Sequence, residues 1–281
     1  MEKRARALIL GAAASLAFFG WPIAHGSADG DFQTLFNGKD LTGWDGDRNI
    51  WSVQAGAITG QTTEQNPLKE NTFLVWQGGT PANFELRVSF RLVAKNDKNF
   101  ANSGIYYRSR ADAASKQVLG YQGDMDASLP DYLGALYEDD RGTIAKSGQR
   151  VRVFRSDGKP KIEILGQTAG ATEIGDLFAD LSAGHWLHYV IIAEDNHLRH
   201  YVNGKFTADV TDEDDTKPKS GIIALQVHHG AAMLVQFKDI QIKPLPSTRS
   251  MLTCETTFWK RSNVLNLAQF GPLSSFYGPL Q

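Results

Sequence analysis

The sequence predicts an all-β fold, either a sandwich or a barrel, from three observations. The first is the run NFELRVSFRLV (83–93), in which apolar and polar side chains alternate. Such alternation is typical of an antiparallel strand with one buried face and one solvated face. The second is the recurrence of short runs of this kind with turn signals between them, and the third is the lack of a long helical period. Only ATEIGDLFADL (171–181) predicts a helix, and a short one.

Two hairpins are marked by their turn residues. RVRVFR (150–155) and KIEIL (161–165) flank Asp157-Gly158, and HLRHYVNGKFTADV (197–210) carries Asn203-Gly204 between two strand-like halves. Both dipeptides favour the two-residue turns of β-hairpins, because these turns need a positive φ at their central residues. We therefore expect strands on either side of each dipeptide.

Composition narrows the class of protein. The chain has 281 residues, of which 42% are hydrophobic, so it can form a globular core of ordinary size. A net charge of -2 argues against a nucleic-acid partner held by neutralised phosphates. The single cysteine, Cys254, excludes an intrachain disulfide and a cysteine-rich zinc site.

The N-terminus predicts export. A basic start, MEKRAR, precedes the apolar run ALILGAAASLAFFGW, and AHGSADG offers small residues for cleavage after Gly26 or Ala28. We interpret residues 1–28 as a signal peptide and expect a periplasmic or secreted protein. The apolar run is shorter than the roughly 20 residues of a membrane span, so no stable membrane insertion is expected after cleavage.

The C-terminal segment 246–281 differs from the rest of the chain. It has no sustained alternation, and it carries Cys254, Trp259 and scattered glycine and proline. We interpret it as a poorly ordered tail, and docking of its apolar residues on the domain is the alternative.

Histidine and glutamine at strand ends are the first candidates for a site. In ALQVHHG (224–230), an alternating strand places Gln226 and His228 on one face and His229 on the other. His200 shares the apolar face of its own strand. Each histidine either reaches into a site or is a core histidine satisfied by a hydrogen bond.

Three further segments combine polar, aromatic and glycine residues: NSGIYYRSR (102–110), GYQGDMD (120–126) and ALYEDDRG (135–142). Neighbouring carboxylates and arginines serve acid–base chemistry or bind sugar hydroxyls, and the alternatives are a solvated acidic loop and ordinary sheet packing.

No Gly-x-Ser-x-Gly or His-Glu-x-x-His motif occurs. No glycine-rich phosphate loop follows a strand, so a nucleotide cofactor is not expected.

Seven separate motifs occur along the chain in this order: LFNGKDLTGW, WSVQAGAITG, NSGIYYRS, GYQGDMD, ALYEDDRG, GHWLHYVIIAEDNHLRHYVNG and GIIALQVHHGAAMLVQFKDIQIKPL. Together they resemble the 3-keto-disaccharide hydrolase family. The resemblance covers about residues 32–245, so we take residues 29–245 as one domain. It implies a concanavalin A-like jelly-roll β-sandwich of two antiparallel sheets, and an activity that cleaves sugars already oxidised at C3.

The resemblance also implies a set of site residues. Those that match the motifs of the family are Gln122, Asp124, Glu138, Arg141, His200, Asn203, Gln226 and His228. His229 stands where a small residue is expected, so His228 is preferred to its neighbour.

The expected mechanism is elimination across C1–C2 of a 3-keto-glycoside, followed by hydration. It needs a base near C2, a donor near the C3 oxygen and an acid near the leaving oxygen. We assign His228 or Asp124 as the base, His200 and Arg108 to the enolate oxygen, and Glu138 as the acid or a hydroxyl ligand. The residues expected to bind the sugar are Gln122, Arg141, Gln226, Asn203 and Tyr121.

Several alternatives stay open at this point. No cofactor is firmly expected, and a divalent ion held partly by Asp124 and His228 could replace an arginine as the electrophile. The product is either a free keto-sugar or an unsaturated sugar. A non-catalytic sugar-binding module of the same fold is the alternative function, and an adhesion domain that uses the tail with Cys254 is the third.

Overall fold

The computed structural model describes residues 32–247, and these form a jelly-roll β-sandwich. The predicted signal peptide, most of the predicted tail and Cys254 lie outside the described residues. The strands are β1 (Gln33–Thr34), β2 (Trp44–Asp45), β3 (Trp51–Gln54), β4 (Ala57–Gln61), β5 (Thr72–Trp76), β6 (Phe84–Ala94), β7 (Asn102–Ala111), β8 (Val118–Asp126), β9 (Leu136–Glu138), β10 (Gly142–Ala145), β11 (Gln149–Ser156), β12 (Lys159–Gln167), β13 (Leu187–Glu194), β14 (His197–Val202), β15 (Lys205–Asp212), β16 (Ile222–Val227) and β17 (Met233–Pro244).

Two sheets face each other across the core. The larger has the order β12-β11-β15-β14-β13-β6-β17-β4-β3, with β1 also paired to β17, and the smaller has the order β10-β9-β8-β7-β16-β5-β2. The expectation of two antiparallel sheets is confirmed except at one pair, because β11 runs parallel to β15. The chain enters β11 from β10 of the other sheet, so a crossover between the sheets, rather than a hairpin, sets the direction of β11.

The alternation predicted for residues 83–93 is confirmed in β6. Its apolar residues Phe84, Leu86, Val88, Phe90 and Leu92 are all buried in the core. Glu85, Arg87 and Arg91 alternate with them on the outer face of the larger sheet. Burial of each large apolar side chain contributes about 1.5–3 kcal/mol, so this strand is a major part of the hydrophobic core.

The predicted helix and both hairpins are also confirmed. Helix α1 spans Ile174–Ser182 and buries Leu177 and Leu181, which are four residues apart on one face. Two short 3₁₀ helices complete the list, Pro130–Tyr132 and Ala171–Glu173. Both central residues of each hairpin turn have positive φ: 52° and 72° at Asp157-Gly158, and 46° and 74° at Asn203-Gly204. In residues 32–247 no helix is both long and apolar enough to span a bilayer.

The far end of the β7–β8 hairpin folds over the outer face of the smaller sheet. The register of this hairpin shifts between Tyr107 and Arg110, and the φ angle of Arg108 is 47°. A bulge of this kind bends the strands that carry it. The tip reaches the start of β5, where Gln117 Nε2 donates to the carbonyl of Asn71 at 3.3 Å.

The folded hairpin end covers an apolar cluster on the outer face of the smaller sheet. Val118 packs there with Phe73, Tyr106 and Ala224, separately from the main core. One end of this face is therefore closed by the hairpin, and the polar residues beyond it form the candidate site.

Candidate functional site

Register places polar side chains in rows on the outer face of the smaller sheet. Tyr106 on β7 pairs with Gln122 on β8, which pairs with Tyr137 on β9. In the next row, Gly104 on β7 pairs with Asp124 on β8. Residues of the opposite parity, such as Ile105, Tyr107 and Tyr121, lie in the core between the sheets. The rows therefore face away from the larger sheet.

Two glutamines are linked across these rows. Gln122 Nε2 donates to Gln226 Oε1 at 3.2 Å, and Gln226 Nε2 donates to the hydroxyl of Tyr106 at 3.4 Å. A Cβ atom on Gly104 would lie 2.1 Å from Gln122 Nε2, so only glycine leaves room for this link. The side-chain amides are thereby held in fixed orientations, as recognition of sugar hydroxyls or a ketone requires.

Asp124 is a buried carboxyl beside these amides. It is only 6% exposed, and burial together with the neighbouring Asp126 raises its pKa to about 7. Its Oδ1 accepts from the N–H of Met125 at 2.8 Å and from Asn102 Nδ2 at 3.3 Å, and both bonds oppose the rise. A carboxyl with this pKa gives or takes a proton near neutral pH.

A second carboxyl, Asp139, lies at the end of β9 beyond Tyr137. Its Oδ2 accepts from the N–H of Gly120 at 2.8 Å. Burial raises the pKa of Asp139 to about 6, with Glu138 adding to the rise. Burial also raises the pKa of the Tyr106 and Tyr137 phenols, with Asp139 and Asp124 adding to it, so both stay protonated donors at neutral pH.

Tyr106, Tyr137 and Asp139 lie in the candidate segments NSGIYYRSR and ALYEDDRG, but no role was predicted from the sequence for any of them. The signal that could have identified Tyr137 and Asp139 is the alternation within ALYEDDRG. These two residues lie on the opposite face of the strand from Glu138.

His228 lies at the margin of this face, directly after β16. It is half-buried, its Nδ1 lies 2.8 Å from the carbonyl of His229, and its ring contacts Phe100 edge to face with centroids 5.7 Å apart. Burial lowers the pKa of His228, so its imidazole is neutral at pH 7. His229 is exposed, and it lines a cavity of about 660 Å³ with Lys69, Asn71 and the hairpin tip.

His200 lies in the core rather than at the outer face. It is fully buried between the sheets, with Nε2 at 2.9 Å from the Tyr107 hydroxyl and Nδ1 at 3.1 Å from the Tyr189 hydroxyl. Burial lowers its pKa to about 4, so the ring is neutral. The role expected for His200 at an enolate oxygen does not fit this place. The apolar face of its strand is the inner face of the sandwich, and a core histidine was the open alternative.

Glu138, Arg141 and Tyr121 form a separate network on the inner side of the smaller sheet. Arg141 Nε lies 2.9 Å from Glu138, its Nη1 lies 2.8 Å from Asp212, and the Tyr121 hydroxyl donates to Asp212 at 2.5 Å. Burial lowers the pKa of Arg141, but Asp212 and Glu138 outweigh it and raise the pKa above its ordinary value.

This network lies on the opposite side of the smaller sheet from the polar side chains of the outer face. Glu138 and Arg141 instead line a cavity of about 460 Å³ that Arg108 and Arg155 share. The expected roles of Glu138 as acid, and of Arg141 and Tyr121 in sugar binding, do not fit a site on the outer face. The alternation along β8 and β9 turns Tyr121 and Glu138 inward, and Arg141, in the turn after β9, pairs with Glu138 and the buried Asp212.

Arg108 and Asn203 support loops and turns. The Arg108 guanidinium donates to the carbonyls of Ala82 and Asp195 and to Asn83 Oδ1, at 2.6, 2.7 and 3.1 Å. Asn203 occupies its hairpin turn in the larger sheet, and its Oδ1 accepts from the N–H of His188 at 2.8 Å. The role expected for Arg108 at an enolate oxygen and that expected for Asn203 in sugar binding do not fit these places. For Arg108 the reason is the bulge, which breaks its alternation with Tyr106.

A divalent ion between Asp124 and His228 does not fit the residues present. Within residues 32–247 no three histidine, cysteine or carboxylate side chains lie close enough together to hold a metal. Asp124 has its Oδ1 engaged by two donors, and His228 has its Nδ1 against a carbonyl.

Of the ten predicted site residues, the outer face brings together Gln122, Asp124 and Gln226, with His228 at its margin.

Comparison with solved structures finds several similar folds. Two crystal structures of candidate glycosyl hydrolases from Parabacteroides distasonis are similar at 16% identity (TM-score 0.49, covering 76% of this chain and 100% of that one) and at 19% identity (TM-score 0.48, covering 76% and 94%). A β-glucanase from Bacillus licheniformis is similar at 11% identity (TM-score 0.45, covering 77% and 98%).

Sequence comparison identifies the family. No curated protein matches the chain. A family model described as the 3-keto-alpha-glucoside-1,2-lyase-like domain matches residues 31–243, which include every strand of both sheets except the final residue of β17. The chain therefore belongs to the family of 3-keto-alpha-glucoside-1,2-lyase-like domains.

Proposed function

We propose that this protein is an exported enzyme, periplasmic or secreted, that cleaves glycosides carrying a ketone at C3. The name of its domain family describes an elimination across C1 and C2 of a 3-keto-glucoside, and that reaction is the one we assign. The single observation that carries the proposal is Asp124, a buried carboxyl with a pKa of about 7 beside two fixed amides.

The elimination needs a base and an acid that hold opposite protonation states at one pH. The environment of His228 lowers its pKa, and the environment of Asp124 raises its pKa. Pairs whose pKa values are displaced in this way suit acid–base catalysis. His228 is therefore the base that removes the C2 proton, and Asp124 is the acid that protonates the leaving oxygen.

In the first half of the reaction, His228 removes the proton from C2. The C2–H pair forms the C2=C3 enolate, and its charge rests on the C3 oxygen. Donors aimed at that oxygen lower the barrier, and removal of one such donor typically costs about 10²–10³ in rate. The amide of Gln122 and the hydroxyl of Tyr137 face the same side of the sheet and supply these donors.

The second half completes a net hydrolysis. The enolate re-forms the ketone, C1=C2 forms, and the C1–O bond breaks as the leaving oxygen takes the proton of Asp124. Water then adds its oxygen to C1 and gives one proton to the Asp124 carboxylate, while His228 returns its proton to C2. Both residues are restored by these steps, and the products are the free 3-keto-sugar and the aglycone.

The test compares a 3-keto-glycoside with its unoxidised parent by following aglycone release from the purified protein. We expect release from the keto compound only, lost in His228→Ala and kept in His229→Ala, whose ring is exposed. Equal release from the parent would contradict the proposal. Binding of the keto-sugar without release would favour the sugar-binding module instead.

A further inference from the structure

Strand β12 forms one edge of the larger sheet, and all nine of its residues are exposed. It pairs with β11 on one side, and in residues 32–247 no strand lies on its other side. Three of the four exposed large apolar side chains in this range lie on it: Ile162, Ile164 and Leu165. An edge strand with exposed apolar side chains is a template for pairing with another strand.

The turn at Asp157-Gly158 determines which backbone groups of β12 face outward. In a two-residue hairpin, the residues that flank the turn exchange both hydrogen bonds, and bonded and non-bonded pairs then alternate. Here the flanking pair is Ser156 and Lys159. Pro160, Ile162 and Ile164 therefore direct their backbone groups away from β11. Pro160 has no N–H to give, so its position agrees with this alternation.

We propose that β12 pairs antiparallel with the β12 strand of a second copy of this chain, with Ile162 opposite its own counterpart. Ile162 exchanges two backbone hydrogen bonds with that counterpart in this register. The N–H of Ile164 in each copy donates to the carbonyl of Pro160 in the other. The larger sheets of the two copies then form one continuous sheet around a two-fold axis.

Charge complementarity selects this register. It places Lys161 of each copy opposite Glu163 of the other, so symmetry repeats the pair twice, while Ile162, Ile164 and Pro160 meet on the opposite face. A register centred on Glu163 would bring two carboxylates together, and like charges directly opposite each other destabilise a sheet.

The pairing does not break a strong contact within one copy. Glu163 lies 3.6 Å from Arg152, and both side chains are about half exposed. Exposed ion pairs contribute little to stability, so Glu163 is available to Lys161 of the second copy. The inference is independent of the proposed function, because β12 lies on the larger sheet and the candidate site on the smaller one.

The test is sedimentation equilibrium of the purified protein over a wide concentration range, with a reductant present so that Cys254 cannot link two copies. We expect a dimer that dissociates on dilution. Lys161→Glu and Glu163→Lys each place like charges opposite one another, and each should weaken the dimer by about tenfold or more. The double exchange should restore it, and Lys98→Glu, which makes the same charge change on the exposed loop between β6 and β7, should leave it intact.

Ile162→Pro tests the backbone bonds separately. This substitution removes an outward N–H and none of the bonds between β11 and β12, so it should yield a monomer with an unchanged circular dichroism spectrum. A wild type that is monomeric at every concentration would overturn the proposal, since Pro160 and the lysines would then serve to keep copies apart. Charge variants that dimerise as tightly as the wild type would overturn it as well.

Discussion

Gln122 on β8 and Gln226 on β16 are joined by a hydrogen bond of 3.2 Å that passes over Gly104 on the strand between them. The bond fixes two amides on the outer face of the smaller sheet, beside the buried carboxyl of Asp124. The role proposed for this face depends on the arrangement of these three side chains, which single substitutions can disturb.

Gly104→Ala should strongly reduce activity and keep the fold. The added methyl group would lie 2.1 Å from Gln122 Nε2, so the amide must move and lose its bond to Gln226. We expect aglycone release from a 3-keto-glycoside to fall by about 10²-fold, the typical loss when one donor to a developing oxyanion is removed.

Gly175→Ala is the matched control. No atom lies within 4 Å of a Cβ atom at this helical position, so the variant should keep full activity and gain slightly in stability. Equal activity of the two variants would show that the amide link does not matter to the reaction.

Asp124→Asn should stabilise the protein at pH 8 while it removes activity. The folded protein holds the Asp124 proton up to a pKa of about 7, against an ordinary value of 3.8, so wild-type stability falls as pH rises from about 4 to 7. Asparagine carries no charge at any pH, and its amide oxygen can accept the same two bonds. We expect a gain of about 1–3 kcal/mol at pH 8 and almost none at pH 4, measured by urea unfolding. An equal difference at both pH values would refute the raised pKa.

His200 should make the stability of the protein depend on pH in the opposite direction. Its folded pKa is about 4, and that of the unfolded chain is near 6.5, so the unfolded state binds the proton first as pH falls. Wild-type stability due to this group is complete above pH 6.5 and declines by about 1.4 kcal/mol per pH unit down to about pH 4. His200→Gln should lack this decline, and unfolding curves of both proteins at pH 7 and pH 5 would reveal it. A variant with the same decline as the wild type would contradict the core assignment.

The buried network of Arg141 should matter to stability far more than an exposed pair. Arg141→Ala leaves Glu138 and Asp212 buried without their partner, and breaking a buried pair in this way costs about 3–5 kcal/mol. Arg152→Ala removes an exposed pair with Glu213 of similar length, 2.7 Å, and should cost about 0–1 kcal/mol. Urea unfolding compares the two variants, and similar costs would show that the network is solvated.

Much of the fold could be predicted because local signals decide it. The alternation in β6, the Asn203-Gly204 and Asp157-Gly158 turns and the short helix each follow from a few neighbouring residues. The parallel pair of β11 and β15 could not be predicted in this way, since it depends on the crossover of the chain from β10 in one sheet to β11 in the other. The folding of the β7–β8 hairpin over the sheet depends on a bulge that no short motif marks.

Residues of the site could be predicted only where the prediction followed the alternation of side chains between the two faces of a strand. Gln122, Asp124 and Gln226 alternate outward on stretches of β8 and β16 whose register does not shift. Glu138 has the opposite parity to Tyr137, so it faces inward, and its neighbour Asp139 takes the outer position. The apolar neighbours of His200 already indicated the interior, because the apolar face of a strand in a sandwich meets the other sheet.

The most direct test of the site is the rate of aglycone release from a 3-keto-glycoside by Asp124→Asn and Glu138→Gln, measured side by side across pH. We expect the wild-type rate to decline above pH 7 as Asp124 loses its proton. Asp124→Asn should be at least about 10²-fold slower and lack that decline, whereas Glu138→Gln should keep the wild-type rate per folded molecule. Loss of activity in Glu138→Gln, with Asp124→Asn as active as the wild type, would place the chemistry in the inner network and contradict the account.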